Sequence, residues 1–249
     1  MRRRKGWTVA AALLTLFLLA VLPRASKDAS LQEAYPAMGE AEEKVVYLTF
    51  DDGPSAVTEE ILDYLDGEGI QATFFVIGME TERAEKLLNR MKEEGHAVGL
   101  HSYSHDYGKI YASPDAFFSD QKKLRSYLEE KAGLSPSIFR FPGGSRNSTA
   151  PDWVLAEIKA RAQKENLSWF DWNAVASDSG SSAAPAETMA ENIIESGGEK
   201  ERILVLMHDN SIRTTAVPCL KIIVPYYREK GYRFEKLESD TPPVRFPDP

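Results

Sequence analysis

Residues 47–55 read YLTFDDGPS, an apolar and strand-like run that stops at two adjacent aspartates and continues into glycine and proline. Neighbouring side chains on a strand point to opposite faces, so Asp51 and Asp52 would diverge if the strand continued. Gly53 and Pro54 end the strand, and a turn at this point can direct both carboxylates to one site. An ordinary acidic turn is the alternative interpretation, and these residues alone do not decide between the two.

Outward from this stretch, short apolar runs alternate with longer segments of helical periodicity. The predicted strands are VVYLTF, ATFFVIG, HAVGLH, IFRFPGG, SWFDWNA, ILVLMHD and YRFEKL, and six predicted helices lie between them. Strands that alternate with helices indicate parallel pairing through helical crossovers. An open doubly wound sheet and a closed barrel both fit this pattern.

Polar residues at the ends of the predicted strands favour the barrel. They follow five different strands, at Asp51–Asp52, His101, Gly143–Gly144, Asp171–Asp178 and His208–Asp209. In a (β/α) barrel the carboxyl ends of all strands meet at one face, whereas an open sheet would spread them along an edge. We therefore expect an α/β fold, a (β/α) barrel of about seven parallel strands, with its active site at the C-terminal ends of the strands.

The segment HSYSH, residues 101–105, contains two of the four histidines. On a helical turn, the spacing of four would place His101 and His105 on one face, which suits a shared metal ion. Together with one carboxylate, two imidazoles form a three-ligand set that leaves positions open for water and substrate, as in catalytic zinc sites. Polar surface is the alternative interpretation. His96 begins its strand at the opposite end of the barrel, and a structural role is expected for it.

The motifs TFDDGP, HSYSH, RFPGG, DWNAVASD and VLMHD resemble, in order and spacing, those of the polysaccharide deacetylase family, the chitooligosaccharide-deacetylase-like carbohydrate esterases. The resemblance runs from about Val45 to Leu237. It implies a distorted (β/α) barrel and the hydrolytic removal of acetyl groups from N-acetylated sugars of a polysaccharide, with one bound divalent metal ion. The ligand types favour zinc, and cobalt, nickel and manganese are the alternatives.

The resemblance also implies the roles of five residues. Asp52, His101 and His105 are the expected metal ligands. Asp51 is the expected general base, which takes a proton from the attacking water, so the two adjacent carboxylates would have different tasks. His208 is the expected general acid, because an amide nitrogen is a poor leaving group unless it is protonated.

Two further residues are expected to support this acid and base. Arg140 would tether Asp51, and a surface ion pair is the alternative interpretation for this arginine. Asp178 would orient His208 and favour the charged imidazolium. Asp171 is the competing partner for the same histidine.

Gly143 and Trp172 are the expected substrate-binding residues. The backbone N–H of Gly143 would bind the oxyanion, and Trp172 would form a sugar-stacking wall or else belong to the core. The chain departs from the family at two points. Gly143 and Gly144 stand where many members carry a tyrosine after the proline of the third motif, so a side-chain wall of the groove is lost. Ser179 replaces the usual tryptophan of the fourth motif.

The N-terminus combines the basic segment MRRRKG with a 16-residue apolar run, a pattern of secretory signals and membrane anchors. No clean cleavage site follows, which favours an uncleaved anchor over residues 1–26, with the rest of the chain outside the membrane, or secreted if the segment is cleaved. Residues 27–43 are predicted to be a linker, residues 44–239 the catalytic domain and residues 240–249 a C-terminal tail.

Charge and composition argue against other classes of function. A formal net charge of −8 disfavours a nucleic-acid binder, and the lone Cys219 permits neither an intrachain disulfide nor a cysteine metal cluster. No feature of the sequence indicates a protein partner. A phosphatase with an aspartate nucleophile usually needs a second aspartate two residues later, where this chain has Gly53. A non-catalytic cell-wall binding domain would be expected to have lost a ligand, the base or the acid.

The resemblance to polysaccharide deacetylases implies an N-acetylated polysaccharide as the partner. A catalyst tethered outside the membrane lies next to the cell wall, which favours N-acetylglucosamine of peptidoglycan as the substrate. Chitin-like oligomers and an N-acetylglucosamine exopolysaccharide are the alternatives.

Overall fold

The computed structural model describes residues 44–179, 184–210 and 214–247. Eight strands and seven helices occur in these residues. The strands are β1 (Val45–Asp51), β2 (Thr73–Ile77), β3 (Ala97–Ser102), β4 (Ile138–Phe139), β5 (Ser168–Trp169), β6 (Ala174–Val175), β7 (Arg202–His208) and β8 (Arg233–Glu235). The helices are α1 (Ala56–Glu68), α2 (Glu82–Glu93), α3 (Tyr107–Ile110), α4 (Pro114–Ala132), α5 (Asp152–Lys164), α6 (Ala186–Gly197) and α7 (Ala216–Glu229).

The strands form one parallel sheet in the order β5-β4-β3-β2-β1-β7-β6, and β8 pairs with the beginning of β1. The end strands β5 and β6 do not pair with each other, so the seven strands of this path curl into a distorted half-barrel. The predicted fold class is confirmed. Its strand ends meet at one face because all pairs are parallel.

One predicted strand was wrong. SWFDWNA is not continuous but forms β5 and β6, which lie at opposite ends of the sheet. The residues between them bond to other groups instead of to a strand. The carbonyls of Phe170 and Asp171 accept hydrogen bonds from Arg140, and the N–H of Asp171 donates to the carbonyl of Val244. The chain therefore leaves the sheet at Phe170 and returns to it beside β7.

Strand β1 lies at the centre of the sheet and is buried on both faces. Val46, Leu48 and Phe50 belong to the large apolar cluster that joins the sheet to the helices, whereas Tyr47 belongs to a smaller cluster on the opposite face. Such two-sided burial is typical of parallel sheets covered by helices. Asp51 follows at the end of β1 on the same face as Tyr47, because the alternation has a period of two residues.

Helix α1 begins immediately after the aspartate turn because the sequence supplies a cap there. The hydroxyl of Ser55 accepts a hydrogen bond from the N–H of Val57, and Thr58 completes a capping box with the N–H of Ser55. The helix ends at Gly69, which adopts the left-handed conformation with φ of 65°. The turn that carries the two aspartates is thus fixed on both sides, by β1 and by α1.

The C-terminal residues lie against the loop that follows β5. The N–H of Phe246 donates to Oδ2 of Asp171 at 2.8 Å, and the guanidinium of Arg245 lies 3.5 Å from the centre of the Trp169 ring. This segment, expected to be a tail, therefore packs against the end of β5 and the loop that follows it.

No helix in the described part of the chain has the length and apolar character needed to cross a membrane. The predicted anchor at residues 1–26 and the predicted linker at residues 27–43 lie outside the described residues.

Candidate active site

A cavity of about 410 Å³ lies at the carboxyl ends of the strands. Its lining residues are Asp51, Asp52, His101, His105, Tyr107, Gly143, Trp172, Ser179, Leu206 and His208. Arg140 and Asp178 are buried and contact lining residues from behind. The structure thus brings together all nine residues singled out from the sequence. A larger groove of about 1090 Å³ between α5 and the C-terminal segment contains none of these nine.

The two adjacent aspartates reach the cavity because the backbone reverses after β1. Asp52 has φ of 76°, a left-handed conformation that is uncommon for a residue with a side chain. Gly53 allows this turn to lie close to β7, since a Cβ atom at position 53 would be 2.1 Å from Oδ2 of Asp209. Glycine is therefore required here by space, which gives a structural reason for the Asp-Asp-Gly sequence.

Asp52, His101 and His105 form a cluster that could hold a metal ion. Oδ1 of Asp52 lies 3.5 Å from Nε2 of His101 and 3.2 Å from Nε2 of His105. Ligands of a tetrahedral zinc ion with bonds of about 2.1 Å lie about 3.4 Å from one another, so these spacings fit. Nδ1 of His101 is 3.0 Å from the carbonyl of Arg140, so it carries the proton and leaves Nε2 as the free donor atom.

The surroundings of the cluster favour the protonation states that a metal needs. Burial lowers the pKa of His101 in spite of the nearby Asp51 and Asp52, which keeps this imidazole neutral. Burial works to raise the pKa of Asp52, but the neighbouring imidazoles His101, His105 and His208 outweigh burial and lower the pKa. Oδ1 of Asp52 is buried and has no hydrogen-bond partner among the described residues. A cation bound there would satisfy this oxygen.

HSYSH does not form the helical turn that the spacing of its two histidines would suit. His101 lies in β3, and His105 lies in the loop after it with φ of 50°. A carboxylate from α4 shapes this loop: Asp120 accepts hydrogen bonds from the hydroxyl of Ser102 at 2.7 Å and from the N–H of Tyr103 at 2.6 Å. The hydroxyl of Ser102 in turn accepts a hydrogen bond from the N–H of His105 at 2.9 Å. The two imidazoles therefore meet through a fixed loop and not through helical spacing.

Arg140 is fully buried, so it is not a surface ion pair. Nη1 donates to Oδ1 of Asp51 at 2.9 Å and to the hydroxyl of Thr49 at 2.7 Å. Nε and Nη2 donate to the carbonyls of Phe170 and Asp171. The guanidinium thus holds one oxygen of Asp51. The other oxygen, Oδ2, lies 3.9 Å from Nε2 of His101, which belongs to the candidate metal site.

His208 contacts Asp178 at two points. Nδ1 of the imidazole lies 2.7 Å from Oδ1 of Asp178, and the N–H of His208 donates to Oδ2 at 3.0 Å. Burial of the imidazole works to lower its pKa. The hydrogen bond and charge of Asp178, with the charges of Asp51 and Asp52, outweigh burial and raise the pKa of His208 to about 9. The ring is therefore charged at neutral pH, and Nε2 remains available for a substrate.

Asp171, the competing candidate, bonds elsewhere. Its carboxylate accepts hydrogen bonds from the N–H and the hydroxyl of Ser145 and from the N–H of Phe246. Its carboxylate thus joins the loop after β4 to the C-terminal segment, and Asp178 is the aspartate that contacts His208.

The two glycines after Pro142 turn sharply, with φ of 78° for Gly143 and 84° for Gly144. A Cβ atom on Gly143 would lie 3.1 Å from the Tyr107 ring, and one on Gly144 would lie 3.0 Å from the Trp172 ring. Trp172 lines the cavity and packs edge-on against Phe246, with ring centres 4.9 Å apart. Aromatic residues from other segments thus occupy the space next to the glycines, where a wall of the groove was expected to be missing.

Three residues near the cavity were not identified from the sequence. Tyr107 lines the cavity, and its position two residues beyond HSYSH could have suggested it. Asp120 shapes the His105 loop, but no local pattern distinguishes it within α4. Asp209 is fully buried against Gly53, and burial raises the pKa of its carboxyl to about 7. Its place in the sequence indicates only a polar residue at a strand end.

His96 lies away from this cavity, as expected. Its Nδ1 accepts a hydrogen bond from the N–H of Ala72 at 3.0 Å, and its buried ring lies edge-on to Phe74. These contacts give it a structural role where β2 and β3 begin.

Comparisons with known proteins agree on one family. The sequence profile described as "Polysaccharide deacetylase" matches residues 38–162. A peptidoglycan-N-acetylglucosamine deacetylase of Bacillus cereus is 31% identical over 209 residues, which cover 82% of this chain and 74% of the relative.

Two solved structures are also similar. The catalytic domain of peptidoglycan N-acetylglucosamine deacetylase from Eubacterium rectale has a TM-score of 0.77 and 30% identity, and the match covers 87% of this chain and 98% of that one. A family 4 acetyl xylan esterase from Clostridium thermocellum, solved in complex with a cobalt ion, has a TM-score of 0.63 and 29% identity. The match covers 78% of this chain and 88% of that one. Because the profile spans half of this sequence and relatives of this identity match over most of their length, the chain belongs to the polysaccharide deacetylase family.

Proposed function

We propose that this polysaccharide deacetylase hydrolyses the acetamido group of N-acetylglucosamine in peptidoglycan, with zinc as its metal ion. The single observation that carries the proposal is the His208–Asp178 pair, which places a charged imidazolium in the same cavity as Asp51. An amine leaves an acetyl group only when a proton is supplied to its nitrogen, and this imidazolium has that proton at neutral pH.

The metal would be held by Asp52, His101 and His105. Zinc is the proposed ion because two imidazoles and a carboxylate suit it. When bound, a divalent ion acts as a Lewis acid that makes water more acidic and polarises the acetyl carbonyl.

The residues of the chain perform the remaining steps. Oδ2 of Asp51 accepts the proton of the attacking water, while Arg140 holds Oδ1 and keeps the carboxylate in place. The N–H of Gly143 donates a hydrogen bond to the carbonyl oxygen as negative charge develops on it. Nε2–H of His208 gives its proton to the departing nitrogen, and Asp178 holds Nδ1. Water adds to the carbonyl carbon, the C–N bond breaks, and acetate and a free amino sugar result.

Hydrolysis of acetyl esters is the second candidate function, because one similar structure is an acetyl xylan esterase. An alcohol is a better leaving group than an amine and depends less on a proton donor. The proton donor that the His208–Asp178 pair supplies therefore favours the amide substrate. The names of relatives such as the Bacillus cereus deacetylase favour peptidoglycan over chitin-like oligomers or an exopolysaccharide.

The decisive experiment measures acetate and free amine from the same reaction. The purified protein is incubated with peptidoglycan, a chitooligosaccharide, an N-acetylglucosamine exopolymer and acetylated xylan, first after chelation and then with zinc, cobalt, nickel or manganese added back. We expect acetate and amine in equal amounts, highest rates on peptidoglycan, no turnover after chelation and recovery with zinc. The His208→Ala variant is the control for the acid. Acetate from xylan with no amine from any of the sugars that carry acetamido groups would contradict the proposal.

We also propose that the protein acts outside the cytoplasmic membrane, held there by residues 1–26 or secreted after their removal. The basic segment and the apolar run at the N-terminus support this location, and so does a substrate that lies in the cell wall. Fractionation of cells that express the full chain, beside a chain that lacks residues 1–26, tests the proposal. Full-length protein in the cytoplasmic fraction would contradict it.

A further inference from the structure

Two tyrosines one helical turn apart flank the glycine turn of the active site. Tyr107 begins α3 and lines the cavity, and Tyr111 follows the last residue of the same helix. Tyr111 is 3% exposed, and its hydroxyl donates a hydrogen bond to the carbonyl of Pro142 at 2.8 Å. The loop that supplies His105 thus continues directly into a residue that contacts the third motif.

The carbonyl of Pro142 and the N–H of Gly143 belong to the same peptide group. In a planar trans peptide the two point in opposite directions, so a hydrogen bond to the carbonyl also fixes the direction of the N–H. The N–H of Gly143 has no acceptor among the described residues. Gly143 itself lines the cavity. The hydroxyl of Tyr111 is thus bonded to the peptide group whose N–H is free at the cavity.

The turn that contains this peptide is of a kind whose central peptide can take two orientations. Gly144 donates its N–H to the carbonyl of Phe141 at 2.8 Å, which makes residues 141–144 a β-turn with Pro142 and Gly143 at its centre. The φ of 78° at Gly143 is typical of a type II turn. Type I differs mainly by a flip of the central peptide, and glycine readily adopts either sign of φ. After such a flip, the Pro142 carbonyl would point where the N–H points now.

We propose that Tyr111 is a positioning residue of the deacetylase, whose hydroxyl holds the Pro142–Gly143 peptide in the type II orientation and so directs the Gly143 N–H to the reacting acetyl group. The inference rests on the proposed function, in which this N–H stabilises the oxyanion. The hydrogen bond also polarises the peptide and strengthens its N–H as a donor, because hydrogen bonds in a chain reinforce one another.

Two observations support Tyr111 as a constant donor. Burial raises the pKa of its phenol well above the ordinary value, so the hydroxyl keeps its proton throughout the working pH range. Its ring is also fixed, because it stacks on Phe117 with centres 6.0 Å apart and lies edge-on to Tyr107. The hydroxyl therefore does not leave the carbonyl through rotation of the side chain.

The test compares Tyr111→Phe with a matched control, Tyr232→Phe. Tyr232 is also buried, and its hydroxyl also donates to a backbone carbonyl at 2.8 Å, that of Lys200, which precedes β7 at the opposite end of the strands. We expect Tyr111→Phe to lower kcat roughly 10–100-fold, somewhat less than removal of an oxyanion donor, with KM changed less than twofold. Tyr232→Phe should keep the wild-type kcat. Metal content should be equal in all three proteins.

A substrate series separates positioning from a general loss of structure. A trifluoroacetyl group stabilises the developing oxyanion by itself, so the penalty of Tyr111→Phe should be several-fold smaller on N-trifluoroacetylglucosamine oligomers than on N-acetyl oligomers. Incorporation of 3,5-difluorotyrosine at position 111 keeps the ring shape and the hydroxyl donor, and it should retain at least half of the wild-type kcat.

The outcomes are distinct. If the wild-type protein releases no acetate from any amino sugar, the proposed function is wrong. Two results with an active wild type would show that Tyr111 does not position the oxyanion donor. One is a kcat of Tyr111→Phe equal to that of Tyr232→Phe. The other is an equal fold-loss of kcat on the acetyl and the trifluoroacetyl substrates. If Tyr111→Phe does not fold, the difluorotyrosine protein decides: a loss of kcat in it would contradict the proposal.

Discussion

Asp51 and Asp52 are neighbours in the sequence, yet their carboxylates have different surroundings. Asp51 is 3% exposed and does not belong to the candidate metal-binding group of Asp52, His101 and His105. Its Oδ1 accepts a hydrogen bond from the buried Arg140. Oδ1 of Asp52 has no hydrogen-bond partner among the described residues and faces His101 and His105. We therefore expect substitution of Asp51 to affect turnover and substitution of Asp52 to affect metal binding.

Asp51→Asn should retain the metal and lose most of the turnover, because the amide keeps the shape of the side chain but cannot accept the proton. We expect kcat to fall on the order of 10²–10⁴-fold. The measurement is acetate release beside the metal content of the dialysed protein. Asp52→Asn is the matched control and should lose the metal. Loss of metal in the Asp51 variant would mean that the two roles are reversed.

Asp178→Asn should move the basic limb of the pH profile of kcat/KM to lower pH. The pKa of His208 is raised to about 9 because Asp178 stabilises the charged imidazolium. Without that carboxylate the imidazolium loses its proton at a lower pH, and we expect the limb to move by roughly one pH unit or more. Asp171→Asn leaves the His208 contact intact, so its basic limb should stay in place. An unmoved limb in the Asp178 variant would show that this contact does not set the pKa of the acid.

At the scale of elements, the loop between β3 and α3 shows how the next long helix, α4, positions a candidate metal ligand. The carboxylate of Asp120 accepts hydrogen bonds from Ser102 and from the N–H groups of Tyr103 and Ser104. This arrangement holds His105 at a positive φ. The site therefore depends on α4, which contributes no lining residue to the cavity.

Asp120→Ala should weaken zinc binding on the order of tenfold without removing a ligand, because the His105 loop loses its acceptor. Asp115→Ala is the control. This residue lies on the same helix, its side chain is 94% exposed, and it pairs only with Arg161 among the described residues. Competition with a chelator of known affinity measures both variants. Equal affinities in the two variants would show that the loop keeps its shape without Asp120.

The elements that could be predicted from the sequence are those fixed by local patterns. The strand VVYLTF, the helix that follows it and the strand-end position of His208 depend on periodicity and turn residues, and the structure has them. The division of SWFDWNA into two strands could not be predicted, because it results from hydrogen bonds to Arg140 and Val244. The positions of Asp120 and Tyr111 near the site also follow from tertiary packing and have no local signature.

At the scale of the whole molecule, the C-terminal segment supports the open edge of the half-barrel. The carbonyl of Val244 accepts a hydrogen bond from the N–H of Asp171, and the N–H of Phe246 donates one to the carboxylate of Asp171. The Phe246 ring packs against Trp172. A segment close to the end of the sequence thus holds a loop that carries a wall of the cavity.

A chain that ends after Ser239 should therefore be less stable and less active than the full chain. Loss of these bonds and of the aromatic contact should cost on the order of 1–2 kcal/mol, which lowers Tm by roughly 2–8 °C in a domain of this size. KM for the polysaccharide should rise because Trp172 loses its neighbour. Thermal unfolding and acetate release measure both effects. A chain that ends after Pro247 is the control, and equal Tm values for the two truncations would contradict the expectation.

The buried guanidinium of Arg140 has a consequence for how this sequence can evolve. Its loss would leave the Asp51 carboxylate without its cation and two loop carbonyls without donors, a defect of several kcal/mol that threatens folding itself. Loss of His208 or of a candidate metal ligand should remove activity and leave the sheet intact, because in the described part of the chain none of these side chains bonds to two loop carbonyls as Arg140 does. Descendants of this gene that are released from selection for turnover should therefore lose the histidines first and retain the arginine. Among inactive homologues, an arginine at this position would mark common ancestry and not catalytic competence.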